Sequence, residues 1–137
     1  MATAARHILV VDDDRDTADS LAMILRLSGH AADSAYDAAS AVRIARQSCP
    51  RLVFLDLAMP EVDGFELAKQ LCSLPGMEEA SLVCVTGYAG AEYREHAHQL
   101  GFARFLVKPI DPEEVLQLVA EITRARWRGR LNLVLPT

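Results

Sequence analysis

The stretch that decides the fold is Leu52-Val53-Phe54-Leu55-Asp56. Four consecutive apolar residues, with a β-branched and an aromatic side chain at their centre, predict a short strand buried on both faces. Asp56 closes this strand, and the loop after it, Met59-Pro60-Glu61-Val62-Asp63-Gly64, is punctuated by proline and glycine. In an open parallel sheet, ligands bind at the carboxyl ends of the strands. Asp56 is therefore either a turn residue or part of a site, and the other strand ends distinguish these interpretations.

Strand-like and helix-like segments alternate along the chain, which is typical of an α/β protein with a parallel sheet. Two capping patterns mark helix starts: Asp37 before the second helix, and Asp111-Pro112-Glu113-Glu114 before the last. We predict five strands and five helices, with the helices on both faces of one sheet. The predicted strands cover residues 7–11, 30–35, 52–55, 81–86 and 103–107.

The composition is that of one folded domain, because 51% of the 137 residues are hydrophobic and 24% are charged. A net charge of −5 gives no general electrostatic basis for binding nucleic acid. No apolar stretch approaches the roughly 20 residues of a membrane span, and Asp12-Asp13-Asp14 interrupts the first apolar run too early for a signal peptide. We expect a cytoplasmic protein whose thiols are buried or half-buried, at Cys49, Cys72 and Cys84.

Polar residues of distinct chemistry stand at the ends of four strands: Asp12 and Asp13, Asp56, Thr86, and Lys108. Parallel strands bring these ends to one edge of the sheet, where three carboxylates would repel one another unless a cation shared them. Oxygen ligands in a partly open set suit Mg²⁺, which completes its shell with water and phosphate oxygens. A lysine and a hydroxyl opposite the carboxylates are what a phosphoryl group needs. One carboxylate could then attack phosphorus and form an aspartyl phosphate.

Four motifs make the chain resemble the receiver domain of two-component response regulators, the CheY-like superfamily, over roughly residues 6–125. They are Ile8-Leu9-Val10-Val11-Asp12-Asp13-Asp14, Leu55-Asp56-Leu57-Ala58-Met59-Pro60-Glu61-Val62-Asp63-Gly64, Val85-Thr86-Gly87, and Val107-Lys108-Pro109. The resemblance implies a doubly wound, flavodoxin-like sheet with strand order 2-1-3-4-5. It also implies a domain that takes a phosphoryl group and switches a protein partner.

The same resemblance assigns the site residues. Asp56 would accept the phosphoryl group from a kinase phosphohistidine, and Mg²⁺ would be held by Asp12, Asp13, Asp56 and the backbone carbonyl of Ala58. Thr86 and Lys108 would bind the phosphoryl oxygens.

Three further positions are expected to shape the response. The aromatic switch position falls at Phe105, where the family often has tyrosine; phenylalanine lacks the hydroxyl that could act as a latch. Ala58 and Tyr88 stand where the family tunes phosphate lifetime. Ala58 has no polar group to orient a water, whereas Tyr88 could shield one side, so we predict slow to moderate self-dephosphorylation.

The expected partners are a sensor histidine kinase or phosphotransfer protein and a downstream protein that contacts residues 88–122. The chain is either a single-domain regulator or the receiver of a hybrid histidine kinase. We expect residues 126–137 to form a basic and apolar tail rather than an effector domain, and this tail is either a solvated helix end or a surface for a partner or a second copy. The protein would catalyse only its own phosphorylation and dephosphorylation.

Two alternatives remain from the residues. A phosphohydrolase of the haloacid-dehalogenase type also uses an aspartate nucleophile with Mg²⁺, but it needs an acid two residues later, where this chain has Ala58. A receiver-like scaffold that takes no phosphate is disfavoured by the complete set of acids, Thr86 and Lys108.

Overall fold

The computed structural model describes residues 7–59, 62–87 and 90–134, with the side chains of all but residues 93 and 124–134. Five strands and five helices alternate in these residues, as predicted. The strands are β1 (His7–Val11), β2 (Ala31–Ala35), β3 (Leu52–Leu55), β4 (Ser81–Thr86) and β5 (Arg104–Val107). The helices are α1 (Arg15–Leu27), α2 (Ala38–Ser48), α3 (Gly64–Cys72), α4 (Ala91–Gln99) and α5 (Pro112–Val134).

All strand pairs are parallel, and the order in the sheet is β2-β1-β3-β4-β5, which confirms the predicted topology. β3 lies at the centre, and all four of its residues are buried. Alternate strand residues point to opposite faces of the sheet, so two separate apolar clusters form. One contains Leu9, Leu55 and Cys84 and is covered by α2, α3 and α4. The other contains Val10, Phe54 and Leu106 and is covered by α1 and α5.

Aspartates begin four of the five helices. Asp37 accepts a hydrogen bond from the backbone N–H of Ser40 at 2.7 Å, and Asp111 accepts one from Glu113 at 3.0 Å. Asp14 and Asp63 cap α1 and α3 in the same way. An oxygen placed there satisfies a backbone N–H group that has no partner within the helix.

The expectation for the thiols was wrong for two of three cysteines. Cys84 on β4 is buried, but Cys49 and Cys72 are exposed. Both exposed cysteines lie at helix ends, Cys49 as the C-cap of α2 and Cys72 as the last residue of α3.

The last helix passes the predicted domain boundary at residue 125 and continues to Val134. Its described buried residues are Val115, Leu118, Val119 and Ile122, all before that boundary. The division into a domain and a tail stays a prediction, and residues 135–137 lie outside the described part. Among the described helices, none combines the length and apolar character that crossing a membrane requires.

Candidate phosphoryl-transfer site

The backbone of the candidate site is held by hydrogen bonds that continue the sheet beyond its strands. The N–H of Asp56 donates to the carbonyl of Val11 at 3.0 Å, and the N–H of Asp12 donates to that of Ala35 at 3.0 Å. On the other side, the N–H of Lys108 donates to the carbonyl of Thr86 at 2.8 Å. The backbone of Asp12, Asp56 and Lys108 is therefore held in place by hydrogen bonds to the neighbouring strands.

Three predicted metal ligands come together at this edge. Carboxylate oxygens of Asp12, Asp13 and Asp56 all lie within 4.8 Å of one another. Asp12 and Asp56 are buried, whereas Asp13 is exposed. Hard oxygen donors with one side open to solvent suit Mg²⁺ or a similar ion that keeps part of its water shell. The residues present thus fit a divalent cation.

Lys108 lies between two of these carboxylates. Its Nζ is 2.8 Å from Oδ2 of Asp12 and 3.0 Å from Oδ2 of Asp56. Burial by itself would lower the pKa of Lys108, but the hydrogen bonds to Asp12 and Asp56 outweigh it and raise that pKa. Burial raises the pKa of Asp12, and the hydrogen bond from Lys108 opposes this rise. The lysine is thus the counter-ion of the two buried acids.

The remaining oxygens of Asp12 and Asp56 are held by the local backbone. Oδ1 of Asp12 accepts from the N–H of Asp14 at 2.9 Å, and Oδ1 of Asp56 accepts from the N–H of Ala58 at 2.8 Å. Each carboxylate is therefore fixed by one backbone N–H and one ammonium. Ala58 itself is exposed, and the use of its carbonyl as a metal ligand stays a prediction.

Thr86 closes β4 as a fully buried residue. Its register partner is Val107, the residue before Lys108. Cys84, two residues earlier on the same strand face, is buried as well, and burial together with the charge of Asp56 raises its pKa to about 12. This thiol stays protonated and serves as packing beside the site.

Phe105 is half-buried and is packed against the cluster under α2, α3 and α4. The guanidinium carbon of Arg94, on α4, lies 4.7 Å from the centre of its ring. A second ring contact joins α4 to α3, where His96 stacks on Phe65 with 4.1 Å between ring centres. The sequence indicated neither contact, because no local pattern reveals which strand residue a polar helix will face.

Tyr88, the other predicted lifetime position, lies outside the described residues. Its role stays a prediction.

Known proteins match this chain along most of its length. The family model of the response regulator receiver domain matches residues 8–120. An uncharacterised 14.6 kDa protein of Leptolyngbya boryana is 41% identical over 118 residues, which are 86% of this chain and 90% of that protein.

Solved structures agree. A CheY-like receiver domain protein from Methanospirillum hungatei JF-1 has a TM-score of 0.83 at 25% identity, covering 92% of this chain and 99% of that one. A response regulator protein from Burkholderia pseudomallei, solved with a phosphorylated aspartic acid, a calcium ion and citrate, has a TM-score of 0.74 at 26% identity. That match covers 88% of this chain and 72% of the other.

Proposed function

Because the chain belongs to the family of response regulator receiver domains, we propose that Asp56 is the residue on which it accepts a phosphoryl group. The family is a signalling family of two-component systems and not a family of classical enzymes. The observation that carries the assignment to Asp56 is its position at the end of the central strand, buried, beside two further aspartates and within 3.0 Å of Lys108 Nζ.

The reaction is an in-line displacement at phosphorus. An oxygen of Asp56 attacks, the bond from phosphorus to the imidazole nitrogen of the donor phosphohistidine breaks, and the imidazole leaves with the electron pair. The backbone N–H of Ala58 and the ammonium of Lys108 hold the two Asp56 oxygens before attack. This fixed orientation lowers the entropic part of the barrier.

Mg²⁺ is the proposed cofactor, held by Asp12, Asp13 and Asp56, and when bound it would offset negative charge on the transferring group. Lys108 offsets the same charge from the protein side, because its raised pKa keeps it protonated. The buried hydroxyl of Thr86 is proposed to donate to a phosphoryl oxygen. The phosphorylated aspartic acid of the Burkholderia pseudomallei relative supports the chemistry.

A phosphohydrolase of the haloacid-dehalogenase type finds no support. The family match is to a receiver domain, and Ala58 supplies no acid to protonate a leaving group. We propose that the only reactions the protein catalyses are its own phosphorylation and dephosphorylation.

The proposed partners are a histidine kinase or phosphotransfer protein as donor, and a downstream protein that reads residues 88–122. Signalling through protein contact is consistent with the acidic net charge of −5. A cytoplasmic location stays part of the proposal.

Intact-mass measurement tests the assignment. Incubation with acetyl phosphate and Mg²⁺ should add the mass of one phosphoryl group to the wild type, and Asp56→Asn should abolish the gain. Asp63→Asn is the matched control, since Asp63 caps α3 and should leave the gain intact. Failure of the wild type to gain mass, or retention of the gain in Asp56→Asn, would overturn the proposal.

A further inference from the structure

Helix α4 is weakly anchored compared with the other short helices. Among its described side chains only that of Ala97 is buried, whereas α3, of equal length, buries Gly64, Leu67, Ala68 and Leu71. A groove of about 300 Å³ runs along α3 and meets α4 at its C-cap, Leu100; its other lining residues are Ala68, Lys69, Cys72, Ser73 and Leu82. Apolar burial therefore contributes little to holding this helix on the sheet.

Two ring contacts join α4 to its neighbours. His96 stacks on Phe65 of α3 with an angle of 19° between the ring planes, and Arg94 lies over the ring of Phe105 on β5. Residues two apart on a helix point in nearly opposite directions. The helix thus reaches α3 with one side chain and β5 with the other.

The sequence of α4 offers Arg94 no acidic partner along the helix. The residues three and four positions away are Gly90, Ala91, Ala97 and His98, and pairs within a helix form at those spacings. Its guanidinium carbon lies over the ring of Phe105 instead, and a guanidinium over an aromatic face is attracted by the negative charge of that face.

Phe105 stands close to the reacting end of the sheet. It pairs with Cys84, and the next residue on the same face, Val107, pairs with Thr86. Both pairs face α3 and α4, because Cys84 and Phe105 belong to the cluster on that side. A movement of Thr86 would therefore occur next to the Phe105 ring that Arg94 covers.

We propose that Arg94 is a positioning residue that acts through Phe105, setting the position of the ring and tying α4 to the strand that leads to Lys108. The cation over the ring face supplies the polar contact that a phenylalanine cannot make through a hydroxyl. Together with the stack of His96 on Phe65, it sets how readily α4 leaves the sheet. The link to signalling rests on the proposed function, whereas the link between Arg94 and Phe105 does not.

Hydrogen exchange of the α4 amides in the unphosphorylated protein tests the proposal. Arg94→Gln should speed exchange about two- to fivefold, the size of an exposed cation–π contact. Glutamine has a helix propensity close to that of arginine, so intrinsic helix stability is unchanged. Arg94→Lys keeps a cation, so its α4 exchange rate should lie between those of the wild type and Arg94→Gln.

A double-mutant cycle excludes a merely local effect. Phe105→Leu alone should also speed exchange in α4, and Arg94→Gln should add nothing in that background. Arg104→Gln is the control, because Arg104 neighbours Phe105 in sequence but pairs with Glu121 of α5 at 2.8 Å. Additive effects of the two variants, or an equal effect of Arg104→Gln, would overturn the proposal.

Acetyl phosphate with Mg²⁺ then separates this inference from the proposed function. Arg94→Gln should gain the phosphoryl mass to the same extent as the wild type, but its α4 exchange should change less on phosphorylation. A change as large as in the wild type would contradict the signalling role of Arg94. If the wild type gains no phosphoryl mass, the function assigned to Asp56 is wrong. The double-mutant cycle of Arg94 and Phe105 would still test their contact, because it is measured in the unphosphorylated protein.

Discussion

At the scale of single residues, Lys108 balances the charge of two buried acids. Its Nζ contacts Asp12 and Asp56 at 2.8 and 3.0 Å, and neither carboxylate is more than 6% exposed at its side chain. Burying an ionised carboxylate costs free energy unless a cation is paired with it. The electrostatic state of the site therefore depends on whether this ammonium is present.

We predict that Lys108→Met lowers the free energy of unfolding by about 2 kcal/mol in the presence of EDTA. This is less than the cost of breaking a fully buried ion pair, since the side chain of Lys108 is 25% exposed and partly screened. Mg²⁺ should stabilise the variant more than the wild type, because it replaces the missing cation. Urea denaturation with EDTA or Mg²⁺ measures both effects, and Lys69→Met, at an exposed lysine of α3, is the control. Equal stability of Lys108→Met and the wild type in EDTA would contradict the argument.

Phosphate lifetime is a second property of single residues. Ala58 offers no polar side chain to orient an attacking water, so Ala58→Asn should speed decay of the phosphoprotein. We expect roughly a tenfold effect, below that of a full general base, because an amide does not take up the proton. Tyr88→Ala should also speed decay if the ring shields the phosphate. Decay followed by intact mass would refute the assignment if both variants kept the wild-type rate.

At the scale of elements, the loop after β3 and the start of α3 are packed without a gap. A Cβ at Gly64 would lie 2.5 Å from Cα of Leu57 and 2.9 Å from its carbonyl oxygen. Leu57 follows Asp56 directly, so this contact supports the segment that carries the proposed phosphoryl acceptor.

Gly64→Ala should destabilise the protein by about 1–3 kcal/mol, the usual cost of overpacking a tight site. Gly87→Ala is the matched control: it also lies just after a strand at the site edge, but a Cβ there meets nothing within 4 Å. Thermal or urea unfolding of both variants checks the difference. Similar stabilities for the two would show that the contact at Leu57 relaxes without cost.

The start of α2 predicts a pH effect. Hydrogen bonds from the backbone and side chain of Ser40 lower the pKa of Asp37 from its usual value of 3.8. The Asp37 carboxylate therefore binds a proton less readily in the folded state than in the unfolded state. The contribution of Asp37 to stability is present above pH 3.8 and is lost as the pH falls through the lower folded pKa.

Asp37→Asn should match the wild type at pH 7, because asparagine also caps helices well. Below pH 4 the variant should lose stability less steeply than the wild type, since asparagine does not titrate. Unfolding measured at a series of acid pH values gives the comparison. The prediction is wrong if the stability of the variant and that of the wild type fall equally steeply below pH 4.

At the scale of the whole molecule, α5 extends past the part of the chain that the family model covers. The match ends at residue 120, whereas the helix continues to Val134. We predict that a protein ending at residue 125 unfolds cooperatively and still gains one phosphoryl group. The last described buried residue of α5 is Ile122, so the shortened protein keeps all the described buried residues of this helix. Circular dichroism during thermal unfolding and intact mass provide the test, and a non-cooperative transition would show that the extension belongs to the core.

Sequence patterns predicted the architecture because the signals are local. Apolar runs such as 52–55, and caps such as Asp37 and Asp111, are read from neighbouring residues, and the parallel connection fixes where Asp12, Asp13 and Asp56 meet. Side-chain partners across elements could not be predicted in this way. The contact of Lys108 with two acids depends on the path of a long flexible side chain. The position of Arg94 over Phe105 depends on how a polar helix settles on the sheet.

The proximity of Asp12, Asp13, Asp56 and Lys108 has a consequence for the choice of ion. Three carboxylates and one ammonium have a formal sum of −2, from three negative charges and one positive charge. A divalent cation brings this pocket to electroneutrality, whereas sodium or potassium leaves one negative charge in a largely buried place. We therefore expect this site to favour divalent over monovalent cations on charge balance alone, independently of coordination geometry.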